Sequence, residues 1–514
     1  MILNLLTLLV GLALVYLGLT SRWHHSAIPT VPFWITLYDM CRGVGRTEFY
    51  ETRLRPRLDE HGAVWMWNAG RWVVLVTKPE YLAHVFRHEK TVSKAGFVRK
   101  VPWGVLARLF GENIIDSHGA TWHRFAAIMR PGIQKPRDIR SLCDRSARLA
   151  SLLLQTQQSV TLSSFSSAST ASDEPSGVVI EPLLQRWALS VYGDYFLHTE
   201  LGCLETPGTT IDRLVTAVKR SIPLPLVGEF PVLERFRWLL PHTRRGFAAV
   251  QQFEEHLIEQ VDQVSPSPAY TSLSPGNNKL IHRLKRAREQ GLLCEYHYRS
   301  NLKMMTVAGH ENVNLALTSA LWELGRHPHV QEELRQEMAT LPAVYTVEEI
   351  ERLPLLTAVI YETLRLYPPL SQLVNRVARE PFPLTKDVWI PEGTWVGWNS
   401  YGVHTNPAIW GPTARSFQPA RWGISLASIN DHFRLYQARG YFIPFSAYSR
   451  RCLGIGFAIL QMRIALVEIL RRVSCRQDPT YNFSPTLPAT LAPRGCRLIF
   501  SPCNEVEETL HSNL

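Results

Sequence analysis

One cysteine near the C-terminus has neighbours that favour metal binding. Cys452 follows the loop segment 445–451 and directly precedes a helical pattern that begins near Leu453. Backbone N–H groups at the start of a helix, together with the helix dipole, lower the pKa of a thiol and favour the thiolate. A thiolate is a strong donor to iron. Taken alone, Cys452 would more often be a buried structural cysteine, so the residues around it decide the interpretation.

The residues beside Cys452 suit a haem group. Arg450 can pair with a haem propionate through charge-assisted hydrogen bonds, and Gly454 leaves room where a porphyrin ring would approach the backbone. The chain has eight cysteines, and no pair shows the C-x-x-C spacing of a zinc or redox site. The other cysteines are interpreted as reduced thiols of a cytosol-facing protein. These observations predict that Cys452 is the ligand of an iron-containing cofactor.

Three charged residues upstream of the cysteine strengthen this prediction. Glu362 and Arg365 are three positions apart, which places both on one face of a helix, and Arg421 follows in the segment 417–422. A Glu-x-x-Arg pair alone decorates many solvated helices. In this order before Cys452, however, the motifs resemble the cytochrome P450 superfamily over roughly residues 28–503. The resemblance implies a mainly α fold with a small β portion, the cytochrome P450 fold, in which the three charges form a structural network behind the haem.

The resemblance also implies catalytic residues on a long helix. Residues 308–312 read Ala-Gly-His-Glu-Asn, similar to the family pattern A-G-x-D/E-T. Ala308 and Gly309 would open a groove over the iron for dioxygen, and Glu311 would take part in proton delivery. Asn312 stands where threonine is usual; its amide can bind water or peroxide but is not an equivalent hydroxyl donor. Glu311 and Asn312 are therefore the predicted catalytic residues, although Asn312 weakens the case for ordinary hydroxylation.

The same resemblance implies residues that bind the cofactor, haem b. Trp122 and Arg376 match propionate-binding positions of the family and would act with Arg450. Two positions depart from the family pattern. Ala126 stands where an arginine is expected, and Tyr448 replaces the glycine that is usual in the haem loop, so that its turn would differ or its ring would pack on the porphyrin edge.

The N-terminus predicts a membrane anchor. Residues 1–20 carry no charge and are long enough to span a bilayer as a helix, and basic residues follow but do not precede them. A cleaved signal peptide is the alternative, but it would need a basic start and a small-residue cleavage site. The predicted organisation is a transmembrane anchor over 1–20, a proline-containing linker over 21–33 and a haem-thiolate catalytic domain over 34–514. This is typical of a single-pass protein of the endoplasmic reticulum whose catalytic domain faces the cytoplasm.

The predicted function is that of a haem-thiolate monooxygenase that oxidises a small organic substrate with dioxygen. The chain has no G-x-G-x-x-G dinucleotide segment, so electrons from NADPH would arrive through NADPH-cytochrome P450 reductase, docked on a basic face bordered by Arg450 and Arg451. The net charge is +11, but the basic residues are scattered and do not predict nucleic-acid binding. Residues 393–405 resemble a fungal branch that includes the enzyme coupling formylated tyrosines into dityrosine, and related members serve secondary metabolism. Oxidative phenol coupling, rearrangement without oxygen insertion and non-catalytic haem binding remain alternatives.

The elements that must position these residues can also be predicted. Two strands are expected over 64–76, helices over 298–326, 347–367 and 453–473, and polar loops over 159–176 and 265–278. The apolar stretch 222–240 contains three prolines; it could touch a membrane, roof a cavity or pack in the core. Substrate contacts are expected from 97–115, 307–311, 370–374 and 485–491, as the family resemblance implies.

Overall fold

The computed structural model describes residues 7, 9–12, 14, 28–133, 138–166, 176–222, 224–263, 279–486 and 489–503. Of the predicted anchor over 1–20, only residues 7, 9–12 and 14 are described, as helical and exposed, so most of this prediction lies outside the described residues. Among the described residues, no helix combines the length and the apolar character that crossing a bilayer requires.

Helices dominate the described chain, which confirms the predicted mainly α fold with a small β portion. The helices are α1 (Phe33–Cys41), α2 (Arg46–Phe49), α3 (Arg55–His61), α4 (Pro79–Arg87), α5 (Phe97–Lys100), α6 (Val105–Phe110), α7 (Gly119–Met129), α8 (Arg140–Ser166), α9 (Glu181–Tyr192), α10 (Thr210–Arg220), α11 (Pro225–Glu229), α12 (Pro241–Asp262), α13 (Leu280–Glu289), α14 (Glu295–Arg326), α15 (Pro328–Ala339), α16 (Val347–Glu351), α17 (Pro354–Leu366), α18 (Ser400–His404), α19 (Pro407–Trp410), α20 (Leu426–Ala438) and α21 (Ile455–Leu470). The strands are β1 (Ala63–Asn68), β2 (Arg71–Val76), β3 (Val92–Lys94), β4 (Val178–Val179), β5 (Gln372–Ala378), β6 (Phe382–Pro383), β7 (Trp389–Ile390), β8 (Trp395–Asn399), β9 (Val473–Gln477) and β10 (Arg497–Pro502).

A five-stranded sheet in the order β1-β2-β8-β5-β3 forms the main β portion. Strands β1 and β2 are the predicted hairpin, and Ala69 and Gly70 make its two-residue turn with φ of 50° and 79°. Strand β5 pairs with β3 so that Arg376 lies opposite Lys94. Two cations directly opposite each other destabilise a sheet unless an anion lies between them. The pairing of β3 with β5 therefore brings two basic side chains together at a buried position.

Helix α14 is the central helix of the main hydrophobic core. It contains 32 residues, which corresponds to a length of about 48 Å, and it packs against α9, α12, α17 and α21. Its predicted end at Arg326 is confirmed, because Pro328 cannot continue the helix. The second half of α14 is buried almost all round, as expected of a helix in the interior of a large domain.

Two predictions of secondary structure are wrong. The helix expected over 347–367 is two helices, α16 and α17, because Pro354 has no backbone N–H and starts a new helix. The loop expected from Ser159 is helical as far as Ser166, at the end of α8. Residues 167–175 and 265–278 lie outside the described residues. The helix predicted after Cys452 is confirmed, although it is shorter than expected.

Candidate functional site

The loop that carries Cys452 is held by backbone hydrogen bonds. The Cys452 N–H donates to the Phe445 carbonyl at 2.9 Å. Helix α21 then begins at Ile455, shortly after the cysteine. Ser446 and Tyr448 have φ of 58° and 56°, in the left-handed region that glycine enters without strain. The loop thus retains the backbone shape that a glycine at position 448 would favour.

Tyr448 stands where the family usually has glycine, and its ring packs against the protein. The Arg87 guanidinium lies over the Tyr448 ring, 5.0 Å from its centre, and the hydroxyl donates to the Ala438 carbonyl at 3.4 Å. The ring also contacts the hydrophobic cluster of the large sheet. These contacts compensate for the left-handed backbone, and they direct the ring to α4 and α20.

The Cys452 thiol is accessible and yet lies deep in the protein. The residue is exposed to solvent. Protein atoms nevertheless surround the sulfur, and this burial raises the pKa of the Cys452 thiol. Both observations hold for a sulfur that faces a recess inside the molecule. A Cβ atom added at Gly454 would meet nothing closer than Ile133 Cγ2 at 3.7 Å and Cys452 Sγ at 3.9 Å, so there is room beside the sulfur.

The expected lowering of the Cys452 pKa is wrong for the protein alone. Hydrogen bonds from the backbone N–H groups of Gly454 and Ile455, and the charge of Arg451, do lower it. Burial has the larger effect, because the thiolate loses its hydration. A coordinated metal ion deprotonates a thiol outright, so the raised pKa does not prevent metal binding.

A buried cluster of charges lies on the other side of the loop. The carboxylate of Glu89 bridges the guanidinium groups of Arg376 and Arg450, whose side chains are 0% and 3% exposed. Arg450 also donates to the carbonyls of residues 114, 115 and 117, at 3.3, 3.2 and 2.9 Å. The guanidinium of Arg450 lies over the Trp122 ring, 4.6 Å from its centre. The fold therefore brings together the three residues predicted to bind propionates.

Lys94 adds another basic side chain to this cluster. Its Nζ donates to Asn375 Oδ1 at 3.0 Å, and burial together with the charges of Arg376 and Arg450 lowers the pKa of Lys94 well below its usual value. Neither Lys94 nor Glu89 was predicted, because neither belongs to a motif and only the pairing of β3 with β5 identifies them.

The charge cluster fits a group with anionic oxygen atoms. Nε and Nη2 of Arg376 are buried and donate no hydrogen bond to the described residues. Buried N–H groups of a guanidinium are costly when they have no acceptor. Together with the accessible sulfur of Cys452 and the space at Gly454, these donors fit a porphyrin that carries propionates and a metal with affinity for thiolate.

Helix α14 presents one half-buried face within its buried length. Met304, Val307, Ala308, Glu311 and Asn312 are half-buried, and their spacing of three and four residues places them along one side of the helix. Such a face within an otherwise buried helix borders internal space.

Gly309 is also half-buried, and it lies against helix α9. A Cβ at Gly309 would lie 2.5 Å from Cδ2 of Tyr192 on α9, so the glycine allows these two helices to pack closely. The Asn312 amide turns back along the helix and donates to the Ala308 carbonyl at 3.4 Å.

Glu311 pairs with a lysine from a neighbouring helix. Its carboxylate contacts the ammonium group of Lys219 on α10, which also donates to Gln185 Oε1 at 2.6 Å. The adjacent His310 is buried, and its burial lowers its pKa to about 4, so that the ring is neutral at pH 7. Glu311 Oε2 lies 3.7 Å from Nε2 of this neutral ring. The position of Lys219 beside Glu311 was not predicted.

The charges behind the loop form the predicted network. Glu362 and Arg365 are 0% exposed and make two hydrogen bonds, at 2.8 and 2.7 Å. Arg421 Nε reaches the Glu362 carboxylate at 3.3 Å, which confirms the predicted Glu–Arg–Arg cluster. The Trp422 indole also donates to Glu362 at 3.1 Å. Arg365 binds the carbonyls of residues 404, 414 and 416, so this cluster fixes the chain that leads to the cysteine loop.

Three of the four ranges predicted to contact substrate line two different cavities. The larger cavity, of about 530 Å³, is lined by residues of 97–110, by the turn 234–237, by Phe247 and by Tyr296. The smaller one, of about 40 Å³, includes Ser371, Gln372, Thr486 and Thr490 together with residues of α2 and β8. The range 307–311 lines neither of these two. Each of the other three ranges therefore contributes to a cavity, but not to the same one.

Comparison with known proteins matches nearly the whole chain. A family model described as Cytochrome P450 covers residues 30–496. The chain is 40% identical over 468 residues to the cytochrome P450 monooxygenase xanG of Aspergillus fumigatus, which covers 90% of this chain and 85% of that protein. It is 29% identical over 476 residues to cytochrome P450-DIT2 of Saccharomyces cerevisiae, which covers 92% of each. A shorter match, 31% over 204 residues, is to a cytokinin hydroxylase of Arabidopsis thaliana and covers 39% of this chain.

Proposed function

The chain belongs to the cytochrome P450 family of monooxygenases, and we propose that it binds haem b through Cys452, with Arg450, Arg376 and Trp122 around the propionates. The family implies a haem-thiolate iron cofactor, which when bound supplies the reductive activation of dioxygen. The observation that carries this proposal is the sulfur of Cys452, accessible from a recess and close to space at Gly454.

The charged residues hold the cofactor through its propionates. These groups would accept hydrogen bonds from buried arginine N–H groups that are costly when unpaired. Arg376 offers its free N–H groups to a propionate, and Arg450 is stacked on Trp122 in a fixed orientation. Glu89 neutralises part of the positive charge. We expect Glu89 to share these two arginines with the propionates.

Glu311 and Asn312 take part in proton delivery from the half-buried face of α14. The Glu311 carboxyl group contacts the Lys219 ammonium group, and its role is to pass protons to water on this face. Asn312 Oδ1 offers an acceptor for ordered water, since its Nδ2 is directed to the Ala308 carbonyl. The Glu311 carboxyl group supplies the general-acid function in its protonated form, and Asn312 positions the water.

The substrate is a small organic molecule, and the pathway is fungal secondary metabolism. Matches over nearly the whole length of two fungal proteins support a fungal cytochrome P450, and the branch resemblance of residues 393–405 is the basis for secondary metabolism. Electrons come from NADPH through NADPH-cytochrome P450 reductase, which meets the basic face at Arg451. Oxidative phenol coupling of an aromatic amino-acid derivative is a second candidate, because Asn312 replaces the usual hydroxyl group.

An apolar face supports association with a membrane, in accord with the anchor proposed for residues 1–20 and with the endoplasmic reticulum as its location. Trp34 on α1 is 66% exposed, and Trp238 is 71% exposed. Phe33 contacts Phe230 with ring centres 5.8 Å apart, which joins α1 to the segment 222–239. Further exposed side chains of this face are Leu37, Tyr38, Leu224, Leu226 and Leu239. Exposed apolar patches of this kind mark surfaces that meet a membrane or partner.

Labelled dioxygen separates the two candidate reactions. Metabolites would be compared between a strain that expresses the protein and one that expresses Cys452→Ser, both grown under labelled dioxygen. A monooxygenase adds one labelled oxygen atom to the product that depends on Cys452. A dimeric product without label would favour phenol coupling, and the absence of any difference between the strains would contradict both.

A further inference from the structure

The larger cavity has arginine side chains held on aromatic rings. The Arg235 guanidinium lies over the Trp103 ring, 4.0 Å from its centre, and that of Arg237 lies over the Phe247 ring at 5.2 Å. Stacking on a ring restricts the side chain and leaves the N–H groups at the edge of the guanidinium free to bind an acceptor.

The walls of this cavity are tied together by hydrogen bonds. The Trp103 indole N–H donates to the Pro231 carbonyl at 2.8 Å, and the Val105 N–H donates to Glu234 Oε2 at 2.7 Å. These bonds connect α6 and the segment before it to the turn that carries both arginines. The cavity is thus formed before a ligand arrives, which reduces the entropy lost on binding.

The cavity carries more positive than negative charge. Arg108, Arg235 and Arg237 line it, and Glu234 is the one acidic residue among its lining side chains. Glu234 is buried, and its carboxylate accepts a hydrogen bond from the first backbone N–H of α6. Arg108 is paired with Glu254 at 3.4 Å. Within the described part of the chain, neither Arg235 nor Arg237 has a carboxylate within 4.0 Å. Two guanidinium groups are therefore available to a ligand.

We propose that this cavity recognises the carboxylate of an aromatic substrate through Arg235 and Arg237. This inference rests on the proposed function, because it treats the cavity as the place where the monooxygenase receives its substrate. A carboxylate matches the two parallel N–H groups of a guanidinium, and the Tyr296 ring and the edges of the Trp103 and Phe247 rings supply apolar surface for the rest of the molecule. The substrate class is then an aromatic carboxylic acid.

Calorimetry with matched acids and amides tests this directly. Phenylacetate, phenylpropionate and indole acetate would each be titrated into the purified full-length protein and compared with the corresponding primary amide. We expect at least one acid to bind about tenfold more tightly than its amide, because the amide keeps the ring but loses the charge-assisted bonds. High salt should reduce this preference, since both arginines are exposed to solvent.

The variant R235A/R237A should lose the preference for the acid and still bind the amide. R434A/R439A is the control, since it removes two exposed arginines that do not line the cavity. The carbon monoxide difference spectrum of each variant shows whether the haem site is intact and reports failure of the proposed function separately from the calorimetry. The inference is overturned if no acid binds more tightly than its amide. It is also overturned if R235A/R237A keeps the preference, or if the two arginines bind anionic lipid vesicles while acids and amides bind equally.

Discussion

Replacing Glu362 by glutamine removes the only negative charge from a buried cluster that contains Arg365 and Arg421. Both Glu362 and Arg365 are fully buried, and Glu362 accepts bonds from Arg365, Arg421 and the Trp422 indole. The substitution keeps the size of the side chain but leaves two guanidinium groups without their counter-ion. Removing one partner of a buried ion pair costs about 3–5 kcal/mol, so we expect a loss of that size in the free energy of unfolding.

The matched control is Glu332→Gln on α15. Glu332 and Arg335 have the same spacing of three residues and a distance of 2.8 Å, but the Glu332 side chain is 57% exposed. An exposed pair contributes about 0–1 kcal/mol. Denaturant unfolding followed by tryptophan fluorescence would give both values. If the two variants lose the same stability, burial of the Glu362 cluster is not what makes it important.

Three other predictions concern helix packing, pH and proton delivery. Gly309→Ala should destabilise the protein by about 1–3 kcal/mol in the same assay, because the added Cβ would clash with the Tyr192 ring. Adding Tyr192→Leu should recover part of the loss, and an unchanged stability of the single variant would contradict this prediction. Burial lowers the pKa of His404 to about 3, so near and below pH 6.5 the unfolded state binds a proton that the folded state does not, and the free energy of unfolding should fall by about 2 kcal/mol between pH 7 and pH 5. The His404→Gln variant should lack this part of the pH dependence, and an identical slope in both proteins would refute the prediction. Glu311→Gln should lower turnover by about 100-fold with an unchanged carbon monoxide difference spectrum, and full turnover would exclude Glu311 from proton delivery.

The sequence predicted those features that depend on local pattern or on motif order. The end of α14 follows from Pro328, and the pairing of Glu362 with Arg365 follows from their spacing on one helix. The break before Pro354 was missed because the apolar pattern continues across it. A proline can begin a helix as well as end one, and the sequence alone did not distinguish these outcomes.

The contacts that depend on distant residues could not be predicted. Glu89 and Arg376 are 287 positions apart, and they meet because β3 pairs with β5. The role of Gly309 depends on Tyr192, which lies on another helix. For Cys452, the helix start was recognised, but the effect of burial on its pKa depends on all the surrounding protein. Long-range packing decided each of these features.

The carbon monoxide difference spectrum of the reduced Cys452→Ser variant tests the central claim most directly. Cys41→Ser is the control, because Cys41 is also exposed but lies on α1, far along the chain from the loop. We predict that the control keeps the absorbance band characteristic of thiolate-ligated haem and that Cys452→Ser loses both this band and turnover. A Cys452→Ser protein that kept the band and its activity would show that another residue binds the iron.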